Sequence, residues 1–182
     1  MHFALLTLLA VVLLPGCSGK QDFSRKETRL TPKAEIRNDP KQAAKTNTSL
    51  GQAYLSKGQI DLAMDKLLKA LELDPKNADT HTVIAVAYEQ IGKMNEAEKH
   101  YRQAHKLSPQ AGLTANNLGR FLCAQGHYAD AEKMFGLALE DPFYKTPETA
   151  ILNRAVCARK DGRTEFATDS SAKFWRAGHW IR

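Results

Sequence analysis

Gly58, Gly92 and Gly126 stand 34 residues apart, and Gly162 follows after 36. Ala63, Ala97 and Ala131 keep the 34-residue interval, with Ala167 again 36 further on. Ala70, Ala104 and Ala138 repeat it, as do Tyr54 with Tyr88 and Pro75 with Pro109, while Pro142 comes one residue early. Five repeat positions in phase restrict the chain to architectures in which one supersecondary unit stacks on the next. One such unit cannot bury its apolar face alone, so about three are needed before the stack is stable.

Helical periodicity identifies the unit. Ile60, Ala63, Met64, Leu67, Leu68 and Leu71 fall at i, i+3, i+4, i+7, i+8 and i+11, which predicts one wide apolar stripe on a helix. Each recurrent residue has a mechanical task. The glycine allows a left-handed backbone between the two helices of a pair. The alanines let helices approach closely, and Tyr54 and Tyr88 fill space between repeats. Pro75 and Pro109 stop one pair before the next begins. Asp39-Pro40 reads as an N-cap followed by the first helical residue, with Gln42 three after the cap.

Residues 44–77 carry Leu50-Gly51, Tyr54, Ala63, Leu67, Ala70 and Pro75, and residues 78–111 carry Ile84-Ala85, Tyr88, Ala97, Tyr101, Ala104 and Pro109. Residues 112–147 carry Leu118-Gly119, Ala131, Phe135 and Ala138, with two extra residues at the end. This pattern resembles the tetratricopeptide (TPR) repeat. The resemblance implies an all-α solenoid of helical hairpins over residues 39–167, the last unit (148–167) partial, with Arg154-Ala155 where Leu-Gly is expected. It also implies that the first helix of each pair forms a concave binding face. Carried over position by position, that face comprises Thr48, Gln52 and Leu55, then Thr82, Val86 and Glu89, then Asn116, Asn117 and Arg120, then Leu152, Asn153 and Val156. Asn117 and Asn153 match the position at which many TPR proteins hold an extended peptide backbone, since a side-chain amide donates and accepts at once. Leu55 and Val86 would be apolar groups left open for a partner to cover. The face lacks the two-lysine arrangement with which chaperone-binding TPR domains clamp a terminal carboxylate.

Ahead of the repeats, residues 3–14 form an apolar run interrupted only by Thr7. About 12 residues are too few to cross a ~30 Å hydrocarbon core but suit a secretory signal. The run ends in Leu14-Pro15-Gly16-Cys17, which resembles a bacterial lipobox. The resemblance implies a signal peptide over residues 1–16 and a membrane anchor of acyl chains on Cys17, each buried CH₂ contributing ~0.8 kcal/mol. Ser18 after the cysteine points, by the same resemblance, to the outer membrane. Residues 18–38 are polar without periodicity and read as a flexible tether reaching ~25 Å.

No catalytic or metal constellation emerges. The chain has no HExxH, phosphate loop or GxSxG. His100 and His105 are five apart on one helix and read as surface residues; Glu96, Glu98 and Glu132 read as solvent-facing, with Glu98 and Arg102 paired at i, i+4. Neither a cofactor nor a small-molecule substrate is expected. The net charge of +6 is spread along the chain with no basic stripe between aromatics, so no nucleic-acid partner is expected either. Cys123 and Cys157 fall in successive first helices. Ordinary helix separation of ~9–10 Å is long for a disulfide, so both read as small buried hydrophobes.

The third unit is more specific. Asn116-Asn117-Leu118-Gly119-Arg120-Phe121-Leu122-Cys123-Ala124-Gln125-Gly126-His127-Tyr128, followed by Asp141-Pro142-Phe143-Tyr144-Lys145-Thr146-Pro147-Glu148, Asn153 and Cys157-Ala158, resembles the type IV pilus biogenesis lipoproteins PilF and PilW. The resemblance covers about residues 1–167 and implies a pilotin, which escorts the type IV pilus secretin subunit to the outer membrane and promotes its multimerisation. A TPR lipoprotein scaffolding other envelope machinery, such as cell-wall synthesis enzymes, is the alternative. Members of that family run to about six repeats, whereas the pattern here lapses after Ala167. Residues 168–182, with Phe174, Trp175 and Trp180, read as the product of a frameshift or early stop more than as a divergent cap.

Overall fold

The computed structural model describes residues 39–163. The signal run, Cys17, the tether, Ala167 and the tail lie outside the described residues. Within them the secondary structure consists of seven helices: α1 (Pro40–Ser56), α2 (Ile60–Leu73), α3 (Ala78–Gln90), α4 (Met94–Leu107), α5 (Gly112–Ala124), α6 (Tyr128–Glu140) and α7 (Pro147–Lys160).

Local chemistry sets the boundaries. The Asp39 side chain accepts a hydrogen bond from the Lys41 amide at 3.0 Å, with Pro40 as the first helical residue. Each first helix then stops at its glycine: Gly58, Gly92, Gly126 and Gly162 have φ of 70°, 74°, 84° and 80°. Nothing lies within 4 Å of where a Cβ would stand at these four sites, so backbone conformation alone selects glycine. Gly51 is there for a different reason. A Cβ on it would come within 2.6 Å of Leu67 Cγ, so α1 and α2 approach closer than any side chain allows.

Helices α1 and α2, α3 and α4, and α5 and α6 pack as hairpins, the all-α TPR solenoid expected. Successive first helices touch (α1 with α3, α3 with α5, α5 with α7), and each second helix touches the next first helix but not the next second helix. The first helices thus form one continuous layer, and α2, α4 and α6 form an outer layer behind it. The recurrent alanines at 63, 70, 97, 104, 131 and 138 are buried between the layers, as are Leu67, Tyr101 and Phe135. Tyr88 packs against two clusters at once, one around Leu67 and Ile84 and one around Tyr101 and Phe121, joining the hairpins into a single core. The predicted stripe on α2 is narrower than its sequence, because Leu68 is 52% exposed.

Two expectations are corrected by packing. Cys123 and Cys157 form a disulfide, because α5 and α7 bring their Cα atoms to 5.7 Å at this point, well inside the ordinary separation of helix axes. Glu132 does not face solvent. It pairs with Arg154, the residue standing where α7 departs from Leu-Gly, so the departure replaces an apolar contact with an ion pair between α6 and α7.

Candidate functional site

The first-helix layer carries a groove of about 810 Å³ that runs across α1, α3 and α5. Helix α1 lines it with Lys45, Thr48, Ser49, Gln52, Leu55 and Ser56. Helix α3, with its N-cap Asn77, adds Asp79, Thr82, Val83, Val86 and Gln90, and α5 adds Leu113 and Asn117. Six of the twelve residues expected on the binding face therefore meet here: Thr48, Gln52, Leu55, Thr82, Val86 and Asn117. Those that sequence reasoning missed sit one position or one turn from the expected ones on the same helix face, so helical period would have found Ser49, Val83 and Leu113.

The six divide by exposure. Thr48, Leu55 and Thr82 are buried and form the floor, which corrects the expectation that Leu55 stands open. Leu55 packs against Ala63, Leu67 and Ile84. The Thr48 hydroxyl donates to the Ala44 carbonyl at 2.9 Å and so accepts from Thr80, 2.7 Å away, while Thr82 bonds its own helix at the Ala78 carbonyl. Gln52, Gln90 and Asn117 are different. No hydrogen bond within the described residues engages their side-chain amides, so their donors and acceptors remain for a ligand. Among the described residues the only charged groups lining the groove are Lys45 and Asp79.

The other six expected residues are not in the groove. Arg120 on α5 grips Glu89 on α3 through both guanidinium nitrogens at 2.9 and 2.7 Å, and the Tyr101 hydroxyl from α4 donates to the same carboxylate at 2.9 Å. The guanidinium holds the Glu89 carboxyl below the usual range, and burial pushes the Tyr101 phenol up. Asn116 is only 3% exposed, a correction to its expected position on the face. Its carbonyl oxygen accepts from the Asn153 amide at 3.0 Å, so the presumed peptide clamp on α7 is engaged with α5. Leu152 and Val156 remain exposed on α7.

The histidines are also not simple surface residues. His81 and His100 face each other through Nδ1 atoms 3.0 Å apart, and His81 Nε2 lies 3.2 Å from the Pro75 carbonyl. A carbonyl can only accept, so His81 carries its proton on Nε2 and its Nδ1 accepts from His100 Nδ1–H. Burial, with His81 and Lys99 beside it, lowers the His100 pKa to about 4. His105 Nδ1 is buried without a partner, and burial lowers that group too. Among the described residues no group of three His, Cys, Asp or Glu converges as a metal site, and no helix is long and apolar enough to cross a membrane.

Three tetratricopeptide-repeat family models match this chain, over residues 51–92, 78–110 and 113–141. An uncharacterised protein of Haemophilus influenzae is 34% identical over 64% of this chain and 65% of its own length. The type IV pilus assembly protein PilF of Pseudomonas aeruginosa is 31% identical over 78% of this chain and 53% of its own. A solved structure of that PilF superposes with a TM-score of 0.72 at 27% identity. A crystal structure of PilW, described as a widely conserved type IV pilus biogenesis factor, gives 0.71 at 30%. The superpositions cover 76% of this chain and 63% of each solved chain. The chain thus spans between about half and two thirds of the length of these relatives.

Proposed function

The chain is a PilF/PilW-like tetratricopeptide-repeat protein, and from that premise we propose that it is a non-enzymatic pilotin of a type IV pilus secretin. Acyl chains on Cys17 hold it at the periplasmic side of the outer membrane, and the groove across α1, α3 and α5 binds the secretin subunit and promotes its localisation and multimerisation. The observation that carries this reading is the groove itself. Its hydroxyl and aliphatic floor lies beneath the amides of Gln52, Gln90 and Asn117, which no neighbour among the described residues engages. Such a surface suits an extended segment whose backbone needs partners for both N–H and C=O groups. With one lysine and one aspartate among the described residues of the groove, that segment is itself nearly uncharged. The likeness to PilF and PilW supports a secretin as its source.

Deletion of the gene is expected to remove the SDS-resistant secretin multimer from outer-membrane fractions, together with surface pili. Intact, correctly localised multimers in the deletion strain would overturn the reading. If altered cell shape accompanied them, the function would lie instead in scaffolding cell-wall synthesis. Metabolic labelling with palmitate tests the anchor, with label expected on the wild-type chain and absent from Cys17→Ala.

A further inference from the structure

The loop between α6 and α7 holds the most exposed large apolar side chain in the described structure. Phe143 is 87% exposed, against 52% for Leu68, the next. The repeat supplies its own control. Each helical pair closes on a proline, and the residue after it is Lys76 in the first pair and Gln110 in the second, both exposed and polar. In the third pair the residue after Pro142 is Phe143.

The loop is a fixed mount. Asp141 accepts the Phe143 amide through Oδ1 at 2.8 Å and the Gly112 amide through Oδ2 at 2.7 Å. The second bond caps α5, whose own N-cap residue, Ala111, has no side chain for the task. On the other side Tyr144 bonds back to the Asp141 carbonyl and packs its ring against Ala115, Ala138 and Ala150. Phe143 is therefore flanked by two anchored residues and projects from a rigid backbone, with little ordering entropy to lose on binding. Leu113, which follows the capped Gly112, lines the groove, so the mount adjoins the groove's α5 edge.

We infer that Phe143 is an anchor residue for a protein partner, inserting into a ring-sized apolar pocket rimmed by basic side chains. The charges around it select that partner. Glu140, Asp141 and Glu148 outnumber Lys145 in this stretch, and this acidic collar repels an anionic lipid surface while matching lysines or arginines on a protein. The inference rests on the pilotin reading for the partner's identity and adds a second contact outside the groove.

The test measures binding of purified secretin subunit to the full-length protein by calorimetry, for wild type, Phe143→Ala, Phe143→Tyr and Glu148→Lys. Phe143→Ala is expected to weaken binding about tenfold or more, as loss of a buried aromatic anchor does. Phe143→Tyr should retain most of the affinity, and Glu148→Lys should lose several-fold and flatten the salt dependence. Circular dichroism of each variant should match wild type, since Phe143 supports no core. Wild-type binding unchanged by Phe143→Ala overturns the anchor and leaves the pilotin reading standing. No binding by wild type overturns both. Phe143-dependent flotation with anionic vesicles, or Phe143-dependent dimerisation in sedimentation, would likewise overturn a protein-partner anchor.

Discussion

The two halves of the first-helix layer use equivalent repeat positions for opposite ends. Across α1 and α3 the polar groups at the surface are available, with Gln52 and Gln90 unengaged above a floor of threonine and leucine. Across α5 and α7 only Asn117 stays open, while Asn116 is tied to Asn153 and Cys123 to Cys157, with Arg120 reaching back to Glu89. A repeat fixes where side chains stand but not whether they meet a neighbour. Where the neighbour is complementary the position becomes a strut, and where it is not the position stays open for a ligand.

This contrast can be broken or sharpened by substitution. The largest effect is expected in the core both halves share. Phe135→Ala, at a fully buried site, should cost about 3–5 kcal/mol in urea unfolding. Removing the cross-link comes next. Cys123→Ser closes no loop, and for a bridge spanning 34 residues the loss should be up to about 4 kcal/mol. Hydrogen exchange should then rise in α7 and leave α1 and α2 unchanged; equal loss across the array would abolish the distinction between halves.

Glu89→Ala should cost about 1–3 kcal/mol by leaving Arg120 and the Tyr101 hydroxyl without their acceptor. The His81–His100 contact gives a smaller, pH-linked effect. Both pKa values are lowered on folding, so the unfolded chain binds protons more readily and acid destabilises. Stability should be full above about pH 6.5 and decline toward pH 4. His100→Gln should flatten that profile by about 1–2 kcal/mol, a figure that allows for solvent screening. The smallest effect on stability belongs to the open groove. Gln52→Ala and Asn117→Ala should stay within about 0.5 kcal/mol of wild type in unfolding while weakening secretin binding several-fold.

Much of the fold was legible because its determinants are local and periodic. The glycines between paired helices, the alanines at the interfaces and the Asp39 cap each act through their own backbone or one turn of helix. The site was legible by half. The same register that led to Gln52, Val86 and Asn117 led equally to Asn116 and Asn153, which bond each other 37 residues apart, a contact that no window of sequence contains. His100 read as a surface residue because His81, its partner, lies 19 residues away on another helix.

The sequence by itself determined the hairpin, its length and its stacking, since a 34-residue period with glycine at the turn and alanine at the contacts admits few other packings. Tertiary structure decided which polar groups are engaged, that α5 and α7 approach closely enough for a disulfide, and that Asp141 caps a helix 29 residues before it while holding Phe143 outward. The reason is physical. Helix formation depends on neighbours along the chain, whereas pairing depends on ångström-scale distances between helices that only the finished stack sets.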